Sequence, residues 1–84
     1  MCTENFSRSR LRVVADADPG VIARVLERFH NMNVLPRRIH AELGSNNVFH
    51  IEVDVFGIDT QRRRFIAAKV AQAVCVVNAY WHEL

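Results

Sequence analysis

The stretch Ala15–Arg28, ADADPGVIARVLER, decides how this chain folds. Strand alternation ends within it and a helical period begins. From Arg10 to Asp16, Leu11, Val13 and Ala15 fall on one face, with Arg10, Arg12, Val14 and Asp16 on the other. This is the pattern of a half-buried strand. From Gly20 onward, Val21, Ile22, Val25, Leu26 and Phe29 form a helical stripe opposite Arg24, Glu27, Arg28 and Asn31. Between the two lies a tight turn, Asp16 to Gly20. Asp18 suits the helix N-cap, and Pro19 the first helical position, where an N–H has no helical partner. Gly20 removes a side chain where the backbone enters the helix. The first N–H groups of the helix, at the positive end of its dipole, can hold a small anion such as a carboxylate.

The 84 residues, half of them hydrophobic, make one globular domain. Residues 1–8 read as a disordered tail and 9–84 as the domain. A domain this small buries only about 60% of its unfolded surface, so a further stabiliser is expected. Cys2 and Cys75 make no disulfide framework. Their settings suit a reduced, cytoplasmic protein with Cys75 free and buried, which leaves a partner chain as the stabiliser. The opening MCTENFSRSR is too polar for a signal peptide, and no apolar run is long enough for a membrane span. The net charge is +2, and Lys69 is the only lysine. The arginines are interleaved with acids, which argues against nucleic acid as a partner.

After the first helix, Asn31 and Asn33 suit a left-handed stop, and Pro36 prevents continuation. Arg37 to Leu43 alternates with Ile39, Ala41 and Leu43 inward. Val48 to Phe56 alternates with Phe49, Ile51, Val53 and Val55 inward. Keeping both apolar sets on one face requires paired residue numbers with an even sum. A three-residue loop, Ser45 to Asn47, satisfies this. It sets Glu42 opposite His50, His40 opposite Glu52 and Arg38 opposite Asp54, all complementary in charge, the two histidine pairs once protonated. Asp59 or Thr60 caps a second helix, Gln61 to about Ala73, with Phe65, Ile66, Val70, Ala73 and Val74 as its apolar positions. Arg62, Arg63 and Arg64 lie at its positive end, where the dipole disfavours them. The last strand, Cys75 to about His82, puts Cys75, Val77, Ala79 and Trp81 on one face, with Val76, Asn78, Tyr80 and His82 on the other.

This order, βαββαβ with two amphipathic helices, predicts an α+β ferredoxin-like sandwich: a four-stranded antiparallel sheet with both helices on one face. In the usual strand order, 4-1-3-2, Arg37 to Leu43 is an edge with neither interior proline nor lysine. An unguarded edge invites pairing with a second copy through Arg37, Arg38, Ile39, His40 and Ala41.

Catalytic and cofactor chemistry is not indicated. His40 and His50 lie with Glu42 and Glu52 on the outward hairpin face, a pattern that a solvated, charge-paired sheet explains. No metal-ligand spacing and no nucleophile motif occurs, so neither metal nor cofactor is expected. The first turn is acidic and lacks cysteine, unlike the phosphate-binding or metal-binding turns this topology can carry. Outward aromatics suited to RNA stacking are nearly absent, Tyr80 being the well-placed one.

The residues Leu11–Phe29, LRVVADADPGVIARVLERF, resemble the opening of an ACT domain: a strand, then D-x-P-G, then an apolar helix. The closing stretch 74–79, VCVVNA, resembles the ending of the short regulatory subunits of acetolactate synthase. The resemblance spans about Ser9 to Leu84. It implies a non-catalytic regulatory subunit that activates a thiamine-diphosphate-dependent catalytic subunit and senses a branched-chain amino acid. It also implies a homodimer through the second strand. The effector would sit between the first turn of one subunit and the post-helix segment of the other. The corresponding residues here are Asp16, Ala17, Asp18, Gly20, Val21 and Ile22, with Asn33, Val34 and Leu35. Valine-binding members tend to carry asparagine where this chain has Ala17, and Gly-Tyr-Asn where it has Asn33-Val34-Leu35. Loss of the effector with retention of subunit binding is therefore an open alternative. So is a stand-alone ACT sensor acting on another partner. Tyr80, Trp81 and the arginines of the second helix are candidates for the surface that meets a larger subunit.

Overall fold

The computed structural model describes residues 7–84. Its elements are β1 (Arg8–Asp16), α1 (Val21–Asn31), β2 (Arg38–Leu43), β3 (Val48–Phe56), α2 (Thr60–Ala71) and β4 (Val76–Glu83). The four strands form one antiparallel sheet in the order β2-β3-β1-β4, with the two helices joining strands that are not neighbours, as the alternation and element order predict. Residues 1–6, most of the predicted tail, lie outside the described residues. Arg8, also read as tail, belongs to β1, and the Ser7 carbonyl accepts from the Gly57 N–H.

The core is built from the alternating positions. Leu11, Val13 and Ala15 of β1 and Ile51, Val53 and Val55 of β3 pack beneath Val21, Val25 and Phe29 of α1 and Ile66 and Val70 of α2. The hairpin register is the one the even-sum argument requires: Arg38 faces Asp54, His40 faces Glu52 and Glu42 faces His50. Gly44 donates to the Val48 carbonyl at 2.7 Å, and Asn47 closes the loop with φ near 63°. This is a three-residue turn ending in a left-handed residue. Helix α1 ends in a Schellman motif. Asn33 is left-handed (φ 57°), its N–H donates to the His30 carbonyl, and the Val34 N–H donates to Phe29.

Five local expectations are corrected. Helix α1 begins at Val21 with Gly20 as its N-cap and no side-chain cap. Pro19 and Gly20 form a turn ahead of it, and the Asp18 carboxylate is spent on the Gly20 N–H and on Arg24. In β2, Ile39, Ala41 and Leu43 do face the helix side, but no helix covers that edge, and the whole strand is exposed. Helix α2 ends at Ala71 rather than Ala73 and buries Ile66 and Val70, which leaves Phe65 off its buried stripe, while in the turn beyond the helix Ala73 is buried and Val74 is exposed. In β4, a bulge shifts the register between Val14 and Ala15, so Val76 packs against the core and Val77 is exposed. Cys75, at φ 77°, is free and only partly buried.

Asp59 proves to be the α2 cap, its carboxylate accepting from the Arg62 N–H at 2.8 Å. Asp59→Ala removes that acceptor and is expected to lower stability by about 1 kcal/mol in chemical denaturation, with Asp59→Asn close to wild type. Two of the three arginines that sit against the dipole have partners. Arg62 donates to the Met32 carbonyl at the end of α1, while Arg63 reaches Ser9 Oγ and Glu83 and its own carbonyl accepts from Trp81 Nε1.

Candidate functional site

The first turn is tied down from within. The Asp16 N–H donates to the Cys75 carbonyl and the Ala17 N–H to Asn47. Gly20 N–H goes to the Asp18 carboxylate at 3.0 Å and Val21 N–H to the Asp18 carbonyl. Asp18 also pairs with Arg24 at 2.9 Å, and these two donors hold its carboxyl below the usual carboxylate range. Asp18 is therefore already neutralised and does not present a bare charge to an ammonium group. Ile22 and Ala23 are left as the first-turn donors without a backbone acceptor among the described residues. A side chain at Gly20 would press on the Arg24 guanidinium at 3.3–3.4 Å, so glycine lets the Asp18–Arg24 pair close over the turn.

Asn33, Val34 and Leu35 lie at the other end of α1. An 11-residue helix separates the two groups by about 16 Å. Two shallow hollows adjoin the post-helix segment, one of about 310 Å³ with His30 and one of about 250 Å³ with Arg37, Phe56, Ile58 and Arg62. Neither includes a first-turn residue. One chain thus does not bring the two halves of the expected amino-acid site together. Leu35, at 81% exposure, projects away from the domain.

The β2 edge lies between those halves. Ile39 is 48% and Leu43 53% exposed, both on the helix side of the sheet. The Asn33–Leu35 segment leads into the Arg38 end of this strand. The first turn lies at its Leu43 end, held there by the Ala17–Asn47 bond.

The opposite face of the sheet carries a charge lattice that the hairpin pattern only partly revealed. Arg10 makes a two-pronged contact with Asp54 at 2.7 and 3.1 Å, and Arg38 approaches Asp54 at 3.7 Å. Arg12 and Arg38 both bind Glu52, at 3.0 and 3.2 Å. Asp54 is only 1% exposed, and the Arg10 hydrogen bond depresses its pKa despite the opposing effect of burial. Burial works to raise Glu52, but Arg38, Arg10 and Arg12 outweigh it and hold the carboxylate low. His40 contacts Glu42 at 4.0 Å rather than Glu52, because the arginines already occupy Glu52. The missed signal was the β1–β3 register, which sets Arg10 against Asp54 and Arg12 against Glu52. Among the described residues no cluster of histidine, cysteine and carboxylates could hold a metal, and no helix is long and apolar enough to cross a membrane.

A family model described as an ACT-like domain matches residues 3–84. No curated protein matches the chain in sequence. Among solved structures, the C-terminal domain of the MgtC protein from Mycobacterium tuberculosis superposes with a TM-score of 0.78 at 15% identity, covering 100% of this chain and 94% of that one. The ACT domain from GTP pyrophosphokinase of Chlorobium tepidum gives 0.77 at 13% identity, covering 92% and 99%. An uncharacterised protein from Thermotoga maritima gives 0.72 at 16% identity, covering 94% and 98%. Likeness at these identities establishes the fold alone.

Proposed function

Because the chain belongs to the ACT-like domain family, we propose that it is a non-catalytic regulatory subunit working as a side-by-side pair, with a small amino acid held across the seam. The observation that carries this reading is the uncovered β2 edge, with Ile39 and Leu43 exposed on the side where helices should cover them. A second copy paired antiparallel along β2 covers that strip. It also sets the first turn of each subunit beside the Asn33–Leu35 segment of the other, joining two half-sites that one chain keeps about 16 Å apart. The competing edge, β4, is protected by its bulge.

In this arrangement the Ile22 and Ala23 N–H groups face the carboxylate of the effector, and Val34 and Leu35 supply an apolar wall suited to a branched side chain. Asp18 holds the turn rather than the ligand. The catalytic partner we assign is acetolactate synthase, a thiamine-diphosphate enzyme, on the resemblance of the closing stretch 74–79. The fold itself does not choose the enzyme, since its structural neighbours sit in unrelated proteins. An ACT regulator of another enzyme is therefore the second reading. RNA binding is disfavoured, because Arg10 and Arg12 on the open sheet face are paired with Asp54 and Glu52.

Adding the protein to an acetolactate synthase catalytic subunit should raise its rate. An unchanged rate removes that partner. Thermal shift against the individual amino acids tests the effector separately. A ligand at one hundred times its Kd adds about 2.7 kcal/mol of stability, and a branched-chain amino acid should give the largest shift. No shift with any amino acid removes the effector and leaves the subunit role to be decided by the rate assay.

A further inference from the structure

Helix α2 carries Arg62, Arg63, Arg64 and Lys69 and no acidic residue. Arg62 and Arg63 serve the fold. The Lys69 ammonium lies 5.3 Å from the centre of the Phe65 ring, and that ring is half exposed. Arg64 contributes no ion pair or side-chain hydrogen bond to the domain among the described residues.

These residues line one groove. Two hollows, about 470 and 430 Å³, meet at Phe65 and Met32 where the end of α1 adjoins α2. Gln61, Arg62, Arg64 and Ala68 complete the first, and Arg28, Asn31, Lys69 and Gln72 the second. Among the described residues no carboxylate lines either hollow. Arg28 has Glu27 at 3.5 Å, so the uncompensated charge lies mainly at Arg64 and Lys69. The floor is apolar, from Phe65, Met32, Ala68 and the arginine stems, and the cations stand at the rim. Helix α2 packs on β4, the strand farthest from β2, so pairing along β2 leaves the groove open.

We propose that this groove docks an acidic segment of a partner protein, its carboxylates on Arg64 and Lys69 and an apolar side chain against Phe65 and Met32. Charge complementarity selects the acidic chain, and the apolar floor selects a peptide over a phosphate polymer. Nucleic acid needs stacking platforms for successive bases, and here a single ring lies beneath a lysine. The groove adjoins the Asn33–Leu35 half-site, with Arg62 lining both, but Arg64, Phe65 and Lys69 lie outside that half-site, and the proposal stands whichever enzyme is the partner.

The probe is a synthetic peptide of glutamates with leucine at every fourth position, titrated into the full-length ¹⁵N-labelled protein. The controls are the same peptide with lysine for glutamate, and an oligothymidylate. Amide shifts confined to Arg28–Met32 and Gln61–Gln72, weakening as salt is raised, are expected. Arg64→Glu combined with Lys69→Glu should weaken binding at least about tenfold, as should Phe65→Ala. All three positions are exposed, so the fold is retained. Absence of shifts in the groove, equal binding by the charge-reversed variant or by the lysine peptide, or tighter binding of oligothymidylate there would each overturn the proposal.

Discussion

A double variant, Ile39→Arg with Leu43→Arg, should sediment as a monomer of about 9.6 kDa at concentrations where the proposed β2 pairing makes the wild type a dimer. Each of these side chains is about half exposed in the single chain. Covering the remaining apolar surface contributes about 1 kcal/mol per side chain, hence about 4 kcal/mol across a two-fold seam that uses each twice. Removing that contribution weakens the dimer about a thousandfold. Four like charges brought together in the seam weaken it further. The monomer itself should be little disturbed, within about 0.5 kcal/mol beyond the lost dimer linkage, because both positions already face solvent. Circular dichroism of the variant should therefore match the wild type. If the seam also forms the effector site, the same variant loses any amino-acid-dependent thermal shift.

Asp54→Ala should lower the stability of the domain by about 3 kcal/mol, or about 15 °C in Tm for a domain this size. Asp54 is buried on the sheet's polar face, where it receives Arg10 at 2.7 and 3.1 Å with Arg38 at 3.7 Å. Removal leaves Arg10 partly buried, with Glu52 at 3.8 Å as its remaining acidic partner. Asp54→Asn keeps the shape and should cost less. The depressed pKa of Asp54 and Glu52 gives the effect a pH signature. Between their folded and unfolded pKa values the unfolded chain binds more protons. The stabilisation is thus fully present above the ordinary carboxylate range, near pH 4, and is lost as pH falls through the folded values. Urea denaturation of wild type and Asp54→Ala should show the difference between them narrowing below about pH 4.

The framework of this fold was legible because it rests on local patterns. Strict alternation in β1 and β3, the helical stripe from Val21 to Phe29, and the turn residues Asn33 and Ser45–Asn47 each specify their geometry from nearby sequence. The even-sum rule then fixed the hairpin register. The errors lie where tertiary context decides. Alternation in β2 shows which face is apolar, not whether a helix reaches far enough to cover it. Phe65 is apolar at helical spacing, yet it lies one residue away from the Ile66–Val70 stripe of α2. The β4 bulge exchanges Val76 for Val77 without any glycine to announce it. Arg10 and Arg12 look like a basic strand face until the β1–β3 register sets acids against them. For the candidate site, both half-sites were legible as segments, but Asp18's commitment to Arg24 depends on a contact between the turn and the helix that follows it.

Disulfide trapping of the β2 seam tests the central claim most directly. In a Cys2→Ser, Cys75→Ser background, Ala41→Cys places a thiol at the middle of β2. Antiparallel pairing that keeps both apolar faces on the helix side can set this residue opposite its own copy, with Ile39 opposite the second copy's Leu43. Facing Cα atoms at about 4.5–5.5 Å lie within disulfide range. Mild oxidation should convert the variant to a covalent dimer of twice 9.6 kDa, while Asn78→Cys on the β4 edge stays monomeric on a denaturing gel. Cross-linking through Asn78→Cys and not through Ala41→Cys, or through neither, would contradict the β2 pairing and with it the shared amino-acid site.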